Sequence, residues 1–207
     1  MLSTQSIGQF RYGLASVEEL DRVRRFHHDR YLGVGYIEKP TPTGMIEDDF
    51  VGFSSYFFAQ RASDDEVVGV IRQIQSSFCG LPALNEFEVD PHWIDIISSY
   101  EHKQIVEIGS LAVLPGHPKC VKGLYRSIWQ RSRTEGHKVW VAAIDSRLLR
   151  SFSMMRGFHW TSIGNPMFYM GSETVPVAAI VDDQARNMRK KFPDFFRYLD
   201  SPEVDPT

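Results

Sequence analysis

Apolar positions along this chain recur at two spacings, every second residue and about every 3.6 residues, and the switches between them mark the predicted elements. Phe10 to Ala15 reads as a first strand, and Ser16 followed by Glu19 has the spacing of a helix capping box. A helix is therefore expected from Val17 to near Leu32 and Gly33, with Val17, Leu20, Val23 or Arg24, His27 and Tyr31 along one face. Pro40 and Pro42 break residues 38–44 into a loop able to cover a site. The clearest hairpin pairs Ser54–Arg61 with Val67–Gln75 around the polar turn at residues 63–66. Residues 85–100 mix acids and aromatics without a sustained period and are expected to be mostly irregular. A strand-loop-helix-strand-helix unit follows: Ile105–Val113, a loop over 114–123, a basic helix, a strand over 138–144 and a helix before Arg156-Gly157-Phe158. Further strands are expected at 166–170 and 175–181, a short helix at 184–191, a packed segment at 192–199 and a frayed tail at 201–207. No internal repeat or low-complexity linker divides the chain, so residues 1–200 read as one α/β domain.

A length of 207 residues with 43% apolar side chains suffices for a sizeable core. Cys79 and Cys120 lack metal-ligand spacing and are too few for a disulfide framework, which points to the cytoplasm and to no bound metal. The chain shows neither a basic-then-apolar leader nor an apolar run of membrane-spanning length, so a soluble protein with no integral membrane span is expected. A net charge of −3 argues against nucleic acid as partner. Charge is uneven, however. Residues 115–160 carry nine Lys and Arg against Glu135 and Asp145, a local surplus of seven, leaving −10 elsewhere. Such a basic region suits phosphates or an acidic partner protein, or else is a solvated helix face.

The 105–160 unit resembles the acyl-thioester-binding half of the GNAT acyltransferases. Short motifs earlier in the chain are similar, in order, to those of the acyl-homoserine-lactone synthases and their relatives the N-acyl amino acid synthases. Arg22 to Tyr31 is similar to the family's Arg-rich first helix and Glu47-Asp48-Asp49 to its acidic loop. Val67-Val-Gly-Val-Ile-Arg72 resembles the hairpin closing in Gly-x-x-Arg; Gly80-Leu-Pro82 with Phe87 resembles the next segment, and Glu107-Ile-Gly-Ser-Leu-Ala-Val113 the Glu-x-Ser-Arg-x-x-Val strand. The resemblance implies a GNAT-like three-layer α/β/α sandwich with a central mixed, mostly antiparallel sheet. It also implies an acyltransferase with no tightly bound cofactor, whose co-substrate is an acyl thioester of acyl carrier protein or coenzyme A. Two positions depart from the pattern. Ser110 stands where the lactone synthases have arginine, which favours an amino acid or other small amine as acceptor. The loop offers only Gly116 and Gly123 where acetyl-CoA-dependent members are glycine-rich, so backbone approach to a pyrophosphate is harder and acyl carrier protein is the expected donor.

Amide formation from a thioester needs a neutral amine, a polarised carbonyl and a proton acceptor. Glu107, among apolar strand neighbours that raise its pKa, is the expected base, directly or through water, and Ser110 is the second catalytic candidate. A bulge near Leu111 to Val113, as the resemblance implies, would free a backbone N–H for the oxyanion. Arg25 and Arg72 with Asp48 and Asp49 form either an acceptor site or an internal ion-pair network, and Phe87 belongs to an acyl channel or to ordinary core. His117, Lys119, Lys122, Gly123 and Arg126 are the donor-binding candidates, with Ser153 where many GNAT relatives have a proton-donating tyrosine. Two rival readings are an acetyl-CoA-dependent N-acetyltransferase and a non-catalytic acyl-binding or regulatory module, the latter suggested by the serines at 110 and 153.

Overall fold

The strand alternation noted above divides each strand between two faces of one continuous sheet. The computed structural model describes residues 5–154 and 158–201. In it the strand order is β1 (Gln5–Ile7), β2 (Phe10–Leu14), β3 (Ser54–Arg61), β4 (Val67–Gln75), β5 (Ile105–Val113), β6 (Val139–Asp145), β9 (Ser172–Ile180) and β7 (Thr161–Ser162). The remaining strand, β8 (Met167–Tyr169), also pairs with β9. Neighbours are antiparallel except β5 and β6, which run parallel.

Helices cover both faces. On one, Phe57, Ile71, Val106, Trp140 and Val177 pack against α4 (Val121–Glu135), α6 (Val181–Lys191) and α7 (Pro193–Asp200) through Leu124, Trp129, Met188 and Leu199. On the other, Tyr56, Phe58 and Val70 meet Val23 of α1 (Val17–Val34), while Ile74, Val139 and Val141 meet Ala83 of α2 (Pro82–Asn85) and Ile97 of α3 (Pro91–Ser98). Burial of each large apolar side chain contributes roughly 1.5–3 kcal/mol and fixes which face it serves. This is the expected three-layer arrangement. Between β6 and β7 lies α5 (Ser146–Met154).

Several boundaries differ from expectation. Two helices occupy the 82–98 stretch: Asp90 caps α3 by accepting the His92 N–H at 2.8 Å and Pro91 opens its first turn, devices that act over too few residues to show a period. Val181 begins α6 instead of ending a strand, and Asp182 and Asp183 lie in that helix's first turn. Ser16 donates its backbone N–H to Glu19 at 2.9 Å as a capping box should, and α1 ends at Gly35 with φ 82°. Val17, placed on the buried stripe by periodicity, is 89% exposed. Arg156, Gly157, the side chain of Ser153 and the tail from 202 lie outside the described residues. No helix among the described residues is long and apolar enough to cross a membrane.

Candidate active site

The cleft begins where two parallel strands part. Pairing between β5 and β6 runs from Ile105 with Val139 to Glu107 with Val141 and ends there, although β5 continues to Val113 and β6 to Asp145. Close to the parting, β5 carries an extra residue: between the pairs Val70 with Ala112 and Arg72 with Gly109, β4 advances two positions and β5 three. Ser110 absorbs the irregularity with φ 54°, a left-handed conformation unusual for serine. The bulge thus lies at Ser110 and Leu111, at the near edge of the expected 111–113.

Two hollows that share part of their lining flank it. Ile108, Leu111, Tyr125, Ile144, Leu148 and Trp160 line the more apolar one, with Asp145 at its end. The polar one is lined by His27, Asp48, Arg72 and Glu107 together with Ile46 and Pro82. Tyr31, Gly109, Ser110, Ala143, Tyr169 and Met170 belong to both, so the bulge stands at their junction. The residue 38–44 loop does not line either hollow; the chain on each side of it does, through Tyr36, Ile46 and Asp48. Tyr36 donates its hydroxyl to Asp145 at 3.3 Å, and the β8–β9 turn at Met170 and Gly171 approaches Gly35 so closely that a Cβ on Gly171 would stand 2.1 Å from the Gly35 carbonyl oxygen. These contacts roof the junction.

Glu107 is 4% exposed on the floor of the polar hollow. Burial pushes its carboxyl up to about 8, partly offset by the Ala83 N–H and the positive Arg72. That N–H, at the start of α2, donates to Oε2 at 2.7 Å, while Oε1 borders Gly109, where an added Cβ would lie 3.8 Å away. One oxygen is anchored and the other faces the junction. Arg72 is 3% exposed and bonds Asp48 with both terminal nitrogens, at 2.6 and 2.7 Å, and Ser54 through Nε at 2.8 Å. Burial pushes the Asp48 carboxyl up, but these bonds and the Arg72 charge outweigh it and hold Asp48 below its ordinary value.

A family model for the N-acyl amino acid synthase FeeM matches residues 22–181, the span that contains this cleft and both of its walls. The chain belongs to the FeeM family of N-acyl amino acid synthases. As a member it is an acyltransferase. No curated protein sequence matches it significantly. Among solved structures it is similar to FeeM from uncultured soil microbes, at 16% identity over 89% of this chain and 95% of that one, with a TM-score of 0.65. It is also similar to BjaI, a CoA-dependent acyl-homoserine lactone synthase solved with SAM and isopentyl-CoA, at 18% identity over 91% and 85%, with a TM-score of 0.67. The GNAT domain of S. lividans PAT aligns at 15% identity over 86% and 93%, with a TM-score of 0.51. These likenesses show the GNAT fold.

In this family member the sequence-derived candidates fall into three groups. Glu107, Ser110, Arg72, Asp48 and Leu111 meet at the cleft. Arg25 and Asp49 are exposed and outside it; Arg25 donates to the Thr43 carbonyl at 2.8 Å and so holds the loop to α1. Phe87 is 5% exposed with its ring 5.3 Å from that of Tyr169, a wall behind the cleft, and Val113 packs into the α4-side core. The donor candidates are dispersed. Arg126 is 4% exposed and donates to the carbonyls of Tyr198 and Ser201, fastening α7 to α4. Gly123 is buried against β2, where an added Cβ would stand 2.2 Å from Cζ of Tyr12. His117 meets Arg61 at 3.3 Å and the ring of Phe10. Lys119 and Lys122 are exposed, the latter 4.1 Å from the centre of the Tyr198 ring. Sequence reasoning passed over Tyr31, Tyr36 and Asp145. The signal for Asp145 was present: an acid ending an apolar strand just before a helix, whose carboxylate accepts the Arg147 and Leu148 N–H groups at 2.8 and 3.3 Å.

Proposed function

We propose that this protein is a cytoplasmic N-acyltransferase that moves a fatty acyl group from acyl carrier protein to the amine of an amino acid or similar small amine, with Glu107 as base. One observation carries the reading: a buried carboxyl with one oxygen anchored borders a backbone bulge that separates a polar hollow from an apolar one. The thioester carbonyl belongs at that junction, its acyl chain among Leu111, Tyr125, Leu148 and Trp160, and the amine beside Glu107. Attack by the amine nitrogen on the carbonyl carbon develops an oxyanion that the backbone freed by the bulge is suited to receive. Glu107 takes the amine proton, directly or through water, and collapse of the intermediate expels the thiolate. The facing backbone edges of β5 and β6 beyond Glu107 and Val141 suit the amides of an extended phosphopantetheine arm.

A carrier-protein donor is supported by topology and by the glycines. Because β5 and β6 are parallel, Lys119 and Lys122 before and in α4 and Arg147 and Arg150 of α5 follow the same ends of the two strands that form the cleft. The region is less basic in space than along the chain, since Arg133 and Lys138 pair with Asp182 and Arg131 with Glu135. Arg147 pairs with Asp145 at 2.9 Å, so it is the exposed Lys119 and Lys122 that suit an acidic protein surface. Gly123 serves helix packing, which leaves Gly116 as the open glycine of the loop, less than a glycine-rich phosphate loop offers a pyrophosphate. The two cysteines, both free, suit a reducing cytoplasm. Incubation with long-chain acyl carrier protein, long-chain acyl-CoA or acetyl-CoA and a panel of amines, read by mass spectrometry, tests the reading. Long-chain N-acyl product from the carrier protein is expected; turnover confined to acetyl-CoA, or no N-acyl product at all, would overturn it.

A further inference from the structure

Tyr31 and Tyr169 line both hollows and Tyr36 lines the apolar one, so three phenols stand around the junction. Their hydroxyls are differently committed. Tyr36 donates to Asp145 at 3.3 Å and so holds the roof. Tyr169 is pushed up to about 12 by burial and then by the negative charge of Glu107, which sets it on the side of that carboxylate. Tyr31, near the end of α1, reaches the bulge itself, where its hydroxyl is hydrogen-bonded to the side chain of Ser110.

The Tyr31 ring is held from two sides. The His27 ring meets it at 4.3 Å with 78° between the planes, and the Tyr36 ring at 5.1 Å with 80°, edge-to-face contacts that fix its orientation. Burial raises the phenol well above its ordinary value, and the bond to Ser110, which lowers it, offsets only part of that rise. A bond that lowers the value is one in which Ser110 donates to the phenol oxygen, and this leaves the O–H of Tyr31 available to the junction. The proton therefore stays on Tyr31 at working pH, and the group is an uncharged donor already in position.

An oxyanion has more lone pairs than a single backbone N–H can meet, and preorganised donors at that oxygen are a large source of rate. The extra residue of β5 frees backbone at Ser110 and Leu111, and α1 brings the Tyr31 hydroxyl to the same place from the other side of the cleft. We propose that Tyr31 is a catalytic residue whose hydroxyl donates to the thioester carbonyl oxygen as negative charge develops there, with Ser110 as the positioning residue that holds it at the bulge. This rests on the N-acyltransferase reading above and adds a group to its machinery. As the amine nitrogen bonds to the carbonyl carbon, the π pair of the carbonyl moves to oxygen and Glu107 takes the amine proton. The pair then returns to re-form the carbonyl while the C–S bond breaks and its electrons leave on sulfur. Tyr31 keeps its proton throughout.

Tyr31→Phe keeps the ring and removes only the hydroxyl. With long-chain acyl carrier protein and the amine that the native protein uses best, its kcat is expected to fall by about tenfold to a thousandfold, while KM for both substrates stays within about threefold. Fluorotyrosines at position 31 make the phenol more acidic at nearly constant shape, so kcat should change steadily along the series, a readout that a residue serving only to fill space would not move. Ser110→Ala should lose less than Tyr31→Phe and should cost little more once Tyr31 is phenylalanine. A fall in kcat of less than tenfold in Tyr31→Phe, a loss confined to KM, or a flat fluorotyrosine series would overturn the catalytic role while leaving N-acyl transfer intact. An equal cost of Ser110→Ala in both backgrounds would overturn its positioning of Tyr31. Absence of N-acyl product from the native protein with every donor and amine would instead sink the N-acyltransferase reading.

Discussion

At the scale of single residues, Glu107 links stability to chemistry in opposite senses. Its carboxyl titrates near 8 in the folded chain against 4.5 for the free group, so between those values the native state holds a proton that the unfolded chain has lost. The stability attached to this group is therefore fully present below pH 4.5, declines as pH rises, and is lost above about pH 8, a cost on the order of several kcal/mol. With Glu107 as the proposed base, activity is expected to run the other way, since a base works when ionised. The pH profile of kcat/KM is expected to rise with a midpoint near 8; Glu107→Gln should flatten that limb and lower turnover by about 10²–10⁴. The same variant should unfold at higher urea than the native protein at pH 9 and at nearly equal urea at pH 5. Equal midpoints at both pH values would show that Glu107 is not the buried titrating group. Glu107 was legible because a lone carboxylate amid Ile105, Val106, Ile108 and Leu111 violates strand burial unless it has a use. Periodicity placed His27 and Tyr31 on the inner face of α1, but not at the site, because only the docking of α1 over β4 and β5 brings that face to the hollow. The acid–base pair of Arg72 and Asp48, one of two readings the sequence left open, is in the structure both an ion pair and a wall of the hollow.

At the scale of elements, α4 shows why a glycine's spacing does not reveal its task. Gly123, expected at the end of a phosphate-meeting loop, is the third residue of α4, and the atoms opposite it are Cζ, Cε1 and Cε2 of Tyr12 on β2, at 2.2–2.7 Å from an added Cβ. Close helix–sheet contact is its physical requirement. Gly123→Ala is accordingly expected to destabilise by about 1–3 kcal/mol, roughly 3–10 °C in thermal unfolding, and pairing it with Tyr12→Leu should recover part of the loss. An unshifted melting temperature in Gly123→Ala would remove the packing account. Gly116 lies in the loop proper, with φ 86° and nothing within 4 Å of an added Cβ, so an alanine there meets backbone strain alone. The hairpin of β3 and β4 and the run from β5 to β6 were read from sequence because their alternation is long and their turns polar. The two short helices at 82–98 were missed: a proline opens each and a cap marks only α3, and one or two turns cannot establish a period. The bulge at Ser110 was expected near Leu111 to Val113 through the family resemblance alone, since an extra residue in one strand exists only relative to its partner.

At the scale of the whole molecule, folding redistributes charge in a way the linear count does not show. The basic stretch gains Asp182 and Asp200 from α6 and α7, which meet Arg133 and Lys138, and Arg126 is withdrawn under Tyr198. Compensation is thus concentrated at the far end of α4, while Lys119 and Lys122 stand at the end that follows β5. The parallel register of β5 and β6 brings the start of α5 to the same side, where Arg147 is matched by Asp145, so Lys119 and Lys122 carry the positive charge there and the two helix N-terminal dipoles add to it. Under the proposed carrier-protein donor, an acidic partner seated there would place its phosphopantetheine arm along the open strand edges toward Ser110. Exposed charges of this kind act through encounter and are screened by salt. Lys119→Glu should therefore lower the ratio of kcat/KM for acyl carrier protein to that for the same acyl chain on pantetheine, by about tenfold at low ionic strength. The difference between native and variant should shrink toward nothing at about 0.5 M salt, where the Debye length falls to a few ångströms. A ratio that is unchanged at low salt would move the docking surface elsewhere, and a loss that persists undiminished at high salt would mark Lys119 as a packing residue instead of a steering charge.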